Sequence, residues 1–269
     1  MKAWGGMIVS VTIAVLWATP VVAQDEQALE LAKKLANPVA SLISVPLQYN
    51  YDEYGGLNDG ASVHRLNIQP VIPFSLNHRW NLITRTIVPL LEQRGFPNRD
   101  MNESGLGDIT ASQFFSPKAP TAGGWIWGLG PVELLPTASD NALGGEKWGI
   151  GPTAVVLNQK GPWTVGFLGN HIWSVAGDDD RADINATFLQ PFVSYITKTK
   201  TTFGVNTEST YDWESEKWSV PVIAQVAQLA KIGPQILQFS VAGKYWAEAP
   251  DNGPEKWGFR AQVTFLYPK

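Results

Sequence analysis

The sequence predicts an all-β protein: a closed antiparallel up-and-down transmembrane β-barrel of about twelve strands with a short N-terminal helix. Three observations carry this. The chain opens on an export signal, the rest divides into short segments of alternating hydrophobicity, and the charges gather in the connections between them. Lipid tolerates only a closed hydrogen-bond ladder behind an uncharged outer face, and such a pattern supplies both.

The signal comes first. Lys2 precedes an apolar stretch from Met7 to Trp17, and Val21-Val22-Ala23 offers small residues for cleavage before Gln24. That run is too short to span a bilayer, and Pro20 interrupts it, so a cleaved signal is expected rather than an anchor. The expected organisation is a signal peptide over 1–23, a helical segment over 24–38 and an outer-membrane barrel over 39–269. No later stretch approaches the length of a transmembrane helix. The absence of cysteine removes disulfides and thiolate metal sites. A net charge of −4 without a basic block argues against nucleic acid. No cofactor is implied.

From Asp25 to Ala36 the spacing is helical, with Ala28, Leu31, Ala32 and Leu35 on one face and Pro38 just beyond. A tether, a plug entering the barrel and a helix lying at the membrane surface all fit; the surface helix is the expectation. Strands follow. Ile43, Val45, Leu47, Tyr49 and Tyr51 share one face of the first. In the second, Leu66, Ile68, Ile72 and Phe74 oppose Arg65, Asn67 and Gln69. The next five are expected at 80–91, 107–115, 124–135, 147–157 and 163–175. The last five are expected at 184–196, 201–211, 218–229, 235–247 and 257–267. Prolines 70, 89, 131, 152, 191 and 221 fall inside these segments, where each deletes a ladder donor and calls for a bulge.

Loop chemistry gives the orientation. With the first strand rising from the periplasm, the even connections are short and basic (75–79, 116–123, 158–162, 197–200 and 231–234). The odd connections are mostly longer and hold eighteen of the 24 acidic residues. Segregation by length and sign on alternate ends is a barrel property that a soluble sandwich has no reason to share. Aromatics gather at both strand ends, as interfacial girdles require. Phe259, Ala261, Val263, Phe265 and Tyr267 alternate to the end, in the manner of a C-terminal strand read by the barrel-assembly machinery.

The mid-strand charges are assigned to the inner face, because a basic residue facing lipid at the midplane costs about 2–4 kcal/mol. The expected pore lining is Arg65, Asn67, Gln69, Arg85, Asp108, Glu133, Glu208, Lys244 and Arg260. Such a mixed-sign ring either filters solutes or pairs across the lumen and holds it shut. The Asp178-Asp179-Asp180 run lacks the spaced ligands of a calcium loop and reads as a solvated acidic loop. His171 and Ser174 faintly resemble part of a hydrolase set, but they project to opposite faces of one strand. Catalysis is not expected.

The segments NPVASLISVPLQYNYDEY, KWGIGPTAVVL and GPWTVGFLGNHIWSVAGDDDR resemble the MetA-like family associated with phenol meta-degradation. The resemblance runs over nearly the whole chain after the signal. It implies an outer-membrane barrel that acts as a transporter or channel, sometimes alongside aromatic-compound catabolism, and it carries no catalytic residues. The expected function is a passive outer-membrane channel for small molecules, aromatic or hydrophobic compounds among them. The alternatives are a non-conducting structural or ligand-binding barrel and, further off, a lipid-acting enzyme. Expected partners are outer-membrane lipid, lipopolysaccharide, the assembly machinery and a small solute.

Overall fold

Alternating segments joined by tight turns pair with their sequence neighbours, and here they do so until the last meets the first. The computed structural model describes residues 22–55, 60–96 and 100–268; residues 1–21, which hold most of the expected signal, lie outside them. One helix, α1 (Val22–Leu35), precedes fifteen strand segments. These are β1 (Ile43–Tyr54), β2 (Ala61–Ile68), β3 (Val71–Ser75), β4 (Trp80–Arg94), β5 (Asn102–Leu106), β6 (Ile109–Pro117), β7 (Trp125–Leu135) and β8 (Lys147–Lys160). There follow β9 (Trp163–Gly177), β10 (Asn185–Ile196), β11 (Thr201–Thr207), β12 (Ser209–Asp212), β13 (Lys217–Ile232), β14 (Gln235–Glu248) and β15 (Pro254–Tyr267). β2–β3, β5–β6 and β11–β12 are each one spanning strand interrupted once, so twelve strands cross. The antiparallel order closes where β1 pairs β15, from Ile43↔Tyr267 to Tyr54↔Pro254.

The interruptions have local causes. Pro70 removes the donor between β2 and β3, and the register passes through unshifted. Between β11 and β12 the register also continues; there Glu208 falls opposite Pro221 on β13, which has no N–H to give. At Gly107–Asp108 the pairing with β4 slips by one residue, a true bulge that exchanges inward and outward positions. The short turns are built for hairpins. Gly161 (φ 59) before Pro162 and Gly233 (φ 59) before Pro234 match type II′ geometry, whose twist suits the flanking strands.

The outward face is a belt of exposed apolar side chains, among them Leu129, Ile150, Val165, Val205, Val226 and Val241. Its lower rim carries Phe74, Phe115, Trp125, Trp163, Phe203 and Tyr267; its upper rim carries Trp148, Trp173, Trp213, Tyr245 and Trp257. A closed barrel with two aromatic girdles is an outer-membrane protein.

The helix departs from expectation. It does not lie at the membrane surface. Leu31 (5% exposed) and Ala32 (1% exposed) are covered, and Leu31, Ala40 and Leu42 pack against Leu266, Leu229 and Ile236 on the inward face of β13–β15. Val39 enters a second cluster with Ile83, Phe114, Val155, Leu157 and Leu168. Gln159 donates to the Lys33 carbonyl (2.9 Å) and Asn81 to the Ser41 hydroxyl (2.8 Å). α1 and the segment after it therefore occupy the lower half of the lumen, leaving a cavity beside the helix. An apolar helix stripe is satisfied equally by lipid or by an apolar barrel interior, and the inward leucines, isoleucines and phenylalanine at this end supply the latter.

Candidate functional site

Above the plug the lumen is polar. In β1, Gln48, Asn50 and Asp52 follow one another on the inward face by the strand's period of two. Their counterparts on the seam strand are Gln262, Arg260 and Gly258. Arg65 and Asn67 on β2, Glu208 between β11 and β12, and Lys244 and Trp246 on β14 complete the ring, with Tyr54, Phe188 and Pro221 as its apolar members. Together they enclose a cavity of about 220 Å3.

Two ion pairs lie within this ring, each reaching over one or two intervening strands. Arg260 meets Glu208 through two parallel bonds of 2.8 and 2.7 Å, and its Nε donates to Asn50 Oδ1 at 2.7 Å. The fork geometry of guanidinium on carboxylate makes this a strong, directional pair. Lys244 Nζ reaches Asp52 Oδ2 at 2.8 Å, and Trp246 Nε1 donates to the other carboxylate oxygen, also at 2.8 Å. Gly258 makes this possible: a Cβ there would clash with Asp52 Oδ1 and with the Tyr51 carbonyl oxygen. Arg85, lower on β4, donates to Gln69 Oε1 at 3.0 Å. Arg65 makes no hydrogen bond or ion pair with any described residue.

A second cavity of about 180 Å3 lies beside α1, between Ala32, Leu35 and Ala36 and a polar wall that includes Gln190, Asn206, Gln225 and Gln238. The two cavities stack along the same strands. Phe188 and Gln190 are successive inward positions of β10, and Asn206 and Glu208 are successive inward positions of the neighbouring strand. Ser194 Oγ, Thr202 Oγ1 and Asn206 Oδ1 in the lower cavity, and Asn67 Oδ1 in the upper, are buried without a partner in the protein. Buried polar atoms ordinarily have one, and these four are closed off within the wall rather than open to the cavities.

The expected pore residues thus divide. Arg65, Asn67, Glu208, Lys244 and Arg260 come together round the upper cavity, with Gln69 and Arg85 paired on the inward face nearby. Asp108 faces inward after the bulge but serves a loop. Its carboxylate accepts from the backbone N–H groups of Ala138 (3.1 Å) and Gly145 (2.6 Å). This folds the 136–146 connection against β5, where Leu143 is buried. Arg181 donates to the Asn141 carbonyl (3.0 Å) and to that of Gly144 from the other side.

Glu133 is a correction. It pairs with the exposed Ile150, while the fully buried Val132 beside it points inward, so Glu133 faces out. It accepts from Gln113 at 2.9 Å, one outward position below Trp148 of the upper girdle. There a carboxylate costs little compared with the midplane. The sequence misled because Gly128 and Gly130 occupy the inward positions, leaving no hydrophobic contrast between the faces. Asp52, Asn50 and Trp246 are site residues missing from the expected set. Continuing the alternation of the first strand two residues past Asn50 finds Asp52.

No hydrolase arrangement is assembled around His171. Its Nδ1 bonds Thr187 Oγ1 (2.7 Å) on the outward face, whereas Ser174 bonds Asp183 (3.0 Å). Asp178 Oδ1 accepts from the Asp180 N–H at 2.8 Å, and no metal-holding group of three acidic or histidine residues occurs among the described residues.

Closure, girdles and a polar lumen define the class: an outer-membrane β-barrel of channel or porin architecture. Among solved structures, the chain is similar to the COG4313 outer membrane channel from Pseudomonas putida F1. That likeness has a TM-score of 0.65 at 16% identity and covers 84% of this chain and 94% of that one. It is also similar to the NanC porin, with a TM-score of 0.51 at 12% identity, over 83% of this chain and 98% of that one. At such identities the likeness is one of fold. No family model and no curated protein matches the sequence.

Proposed function

We propose that this protein is a passive outer-membrane channel for small solutes, entered through the charged upper cavity and continued along the polar wall beside α1. The observation that carries the proposal is the stacking of two cavities along β10–β13. The channel and porin architecture of the similar structures supports it. The cargo proposed is small and partly apolar, because Tyr54, Phe188 and Trp246 share the upper cavity with the charges. This agrees with the resemblance to the MetA-like family and its link with aromatic compounds. Lipopolysaccharide at the outer rim and the assembly machinery at the C-terminal strand belong to the same proposal.

Planar-bilayer recording tests it. The full protein should carry small currents, and deletion of 24–38 should raise them severalfold by vacating the lower lumen. Current absent from both forms would refute the channel. One observation favours a second reading: the apolar contacts of Leu31, Ala40 and Leu42 seat the helix firmly enough for a barrel that binds a ligand and conducts nothing until the helix leaves. In that case the deletion alone would conduct.

A further inference from the structure

The upper cavity has an uneven charge balance. Three cations line it, Arg65, Lys244 and Arg260, against two carboxylates, Asp52 and Glu208. Both carboxylates are consumed: one by Lys244 and Trp246, the other by the two-pronged contact with Arg260. Arg65 is left with no acceptor among the described residues, although it lines the same cavity. Arg65 is exposed, so its guanidinium stands open to a solute entering the cavity, and with the neighbouring charges already paired its field is the one left to draw an anion. The fork of donors fits a carboxylate. Beside it, Tyr54, Phe188 and Trp246 offer apolar and aromatic surface, which suits a ligand with one charged end and one ring or short apolar body.

We propose that this cavity is a binding site for small organic carboxylates, with Arg65 as the residue that holds the carboxylate and the aromatic side as the surface that takes the body. The site deepens the channel reading by naming its solute class and rests on that reading only for its transport role. Because Arg65 holds up no other residue, its replacement leaves both ion pairs intact.

The test is calorimetric titration of the detergent-solubilised full chain with sodium benzoate and, separately, with the uncharged benzamide. Benzoate should bind saturably and benzamide at least ~tenfold more weakly, the worth of one charge-assisted contact. Arg65→Met should weaken benzoate by a similar factor, whereas Arg65→Lys, which keeps the charge but not the fork, should retain part of it. Equal binding of the two probes, unchanged benzoate binding in Arg65→Met, or no binding of benzoate would each overturn the proposal. Bilayer currents are read on the same preparation. Binding without current removes the channel and keeps the site; current without benzoate binding does the reverse.

Discussion

Replacing Arg260 by methionine probes the ion pair that ties the seam strand β15 to the β11–β12 strand, the third one from it round the barrel. Arg260 is on β15, its side chain 7% exposed, and Glu208, between β11 and β12, is 26% exposed. Methionine preserves most of the aliphatic volume and removes three hydrogen bonds, two to Glu208 and one to Asn50. Breaking a buried pair by deleting one partner costs about 3–5 kcal/mol, mostly because the other charge is left uncompensated. Glu208 keeps some access to the cavity, which places the expected loss near the lower end, about 3 kcal/mol. Neutralising both sides removes the stranded charge, so Glu208→Gln with Arg260→Met should recover all but ~1–2 kcal/mol. Equilibrium urea unfolding in lipid vesicles, followed by tryptophan fluorescence, gives both values. If the single variant loses under ~1 kcal/mol, or the double variant is less stable than the single, the pair does not act as described.

Two further outcomes follow from named contacts. Gly258→Ala should push Asp52 away from Trp246 and Lys244, because the new Cβ would clash with Asp52 Oδ1 and with the Tyr51 carbonyl oxygen; a loss of about 1–3 kcal/mol in the same unfolding assay is expected, and a neutral result would place Asp52 elsewhere. In the outer 178–184 connection, the Lys147 ammonium, seconded by the Ser174 hydroxyl, holds the Asp183 carboxyl below the usual carboxylate range. A carboxylate with a depressed folded value stabilises the fold above its ordinary range and stops doing so as pH falls through the folded value. This connection should therefore become more sensitive to acid proteolysis than the 213–216 turn, and Asp183→Asn should show that sensitivity already at neutral pH.

Much of the fold was legible because the barrel repeats one rule. Alternation within strands, aromatic residues at both strand ends, and the sign and length of the connections each report the same closure independently. Legibility failed where the rule lost contrast. Glu133 sits beside Gly128 and Gly130, and glycine has no preference for lumen or lipid. Asp52 lies at the end of an inward row whose last member looks like the start of an acidic loop. The placement of α1 was beyond local pattern altogether, since its apolar stripe matches any apolar neighbour and only the barrel's width and inward leucines decide which one. The lumen chemistry was half legible: charge identities were evident, but pairing across the cavity depends on which strands stand opposite, a property of the closed cylinder rather than of any segment.

The attachment of α1 to β1 has a consequence for assembly. β1 is one lip of the seam, and its first paired residue, Ile43, meets Tyr267 only when the last strand arrives. The helix hangs from that lip by the few residues 36–42, so the cylinder zips shut with its stopper already tethered at the mouth. Tether and seam thus share one strand: the stopper is anchored at the same mouth of the bore where the closing pair Ile43↔Tyr267 is made.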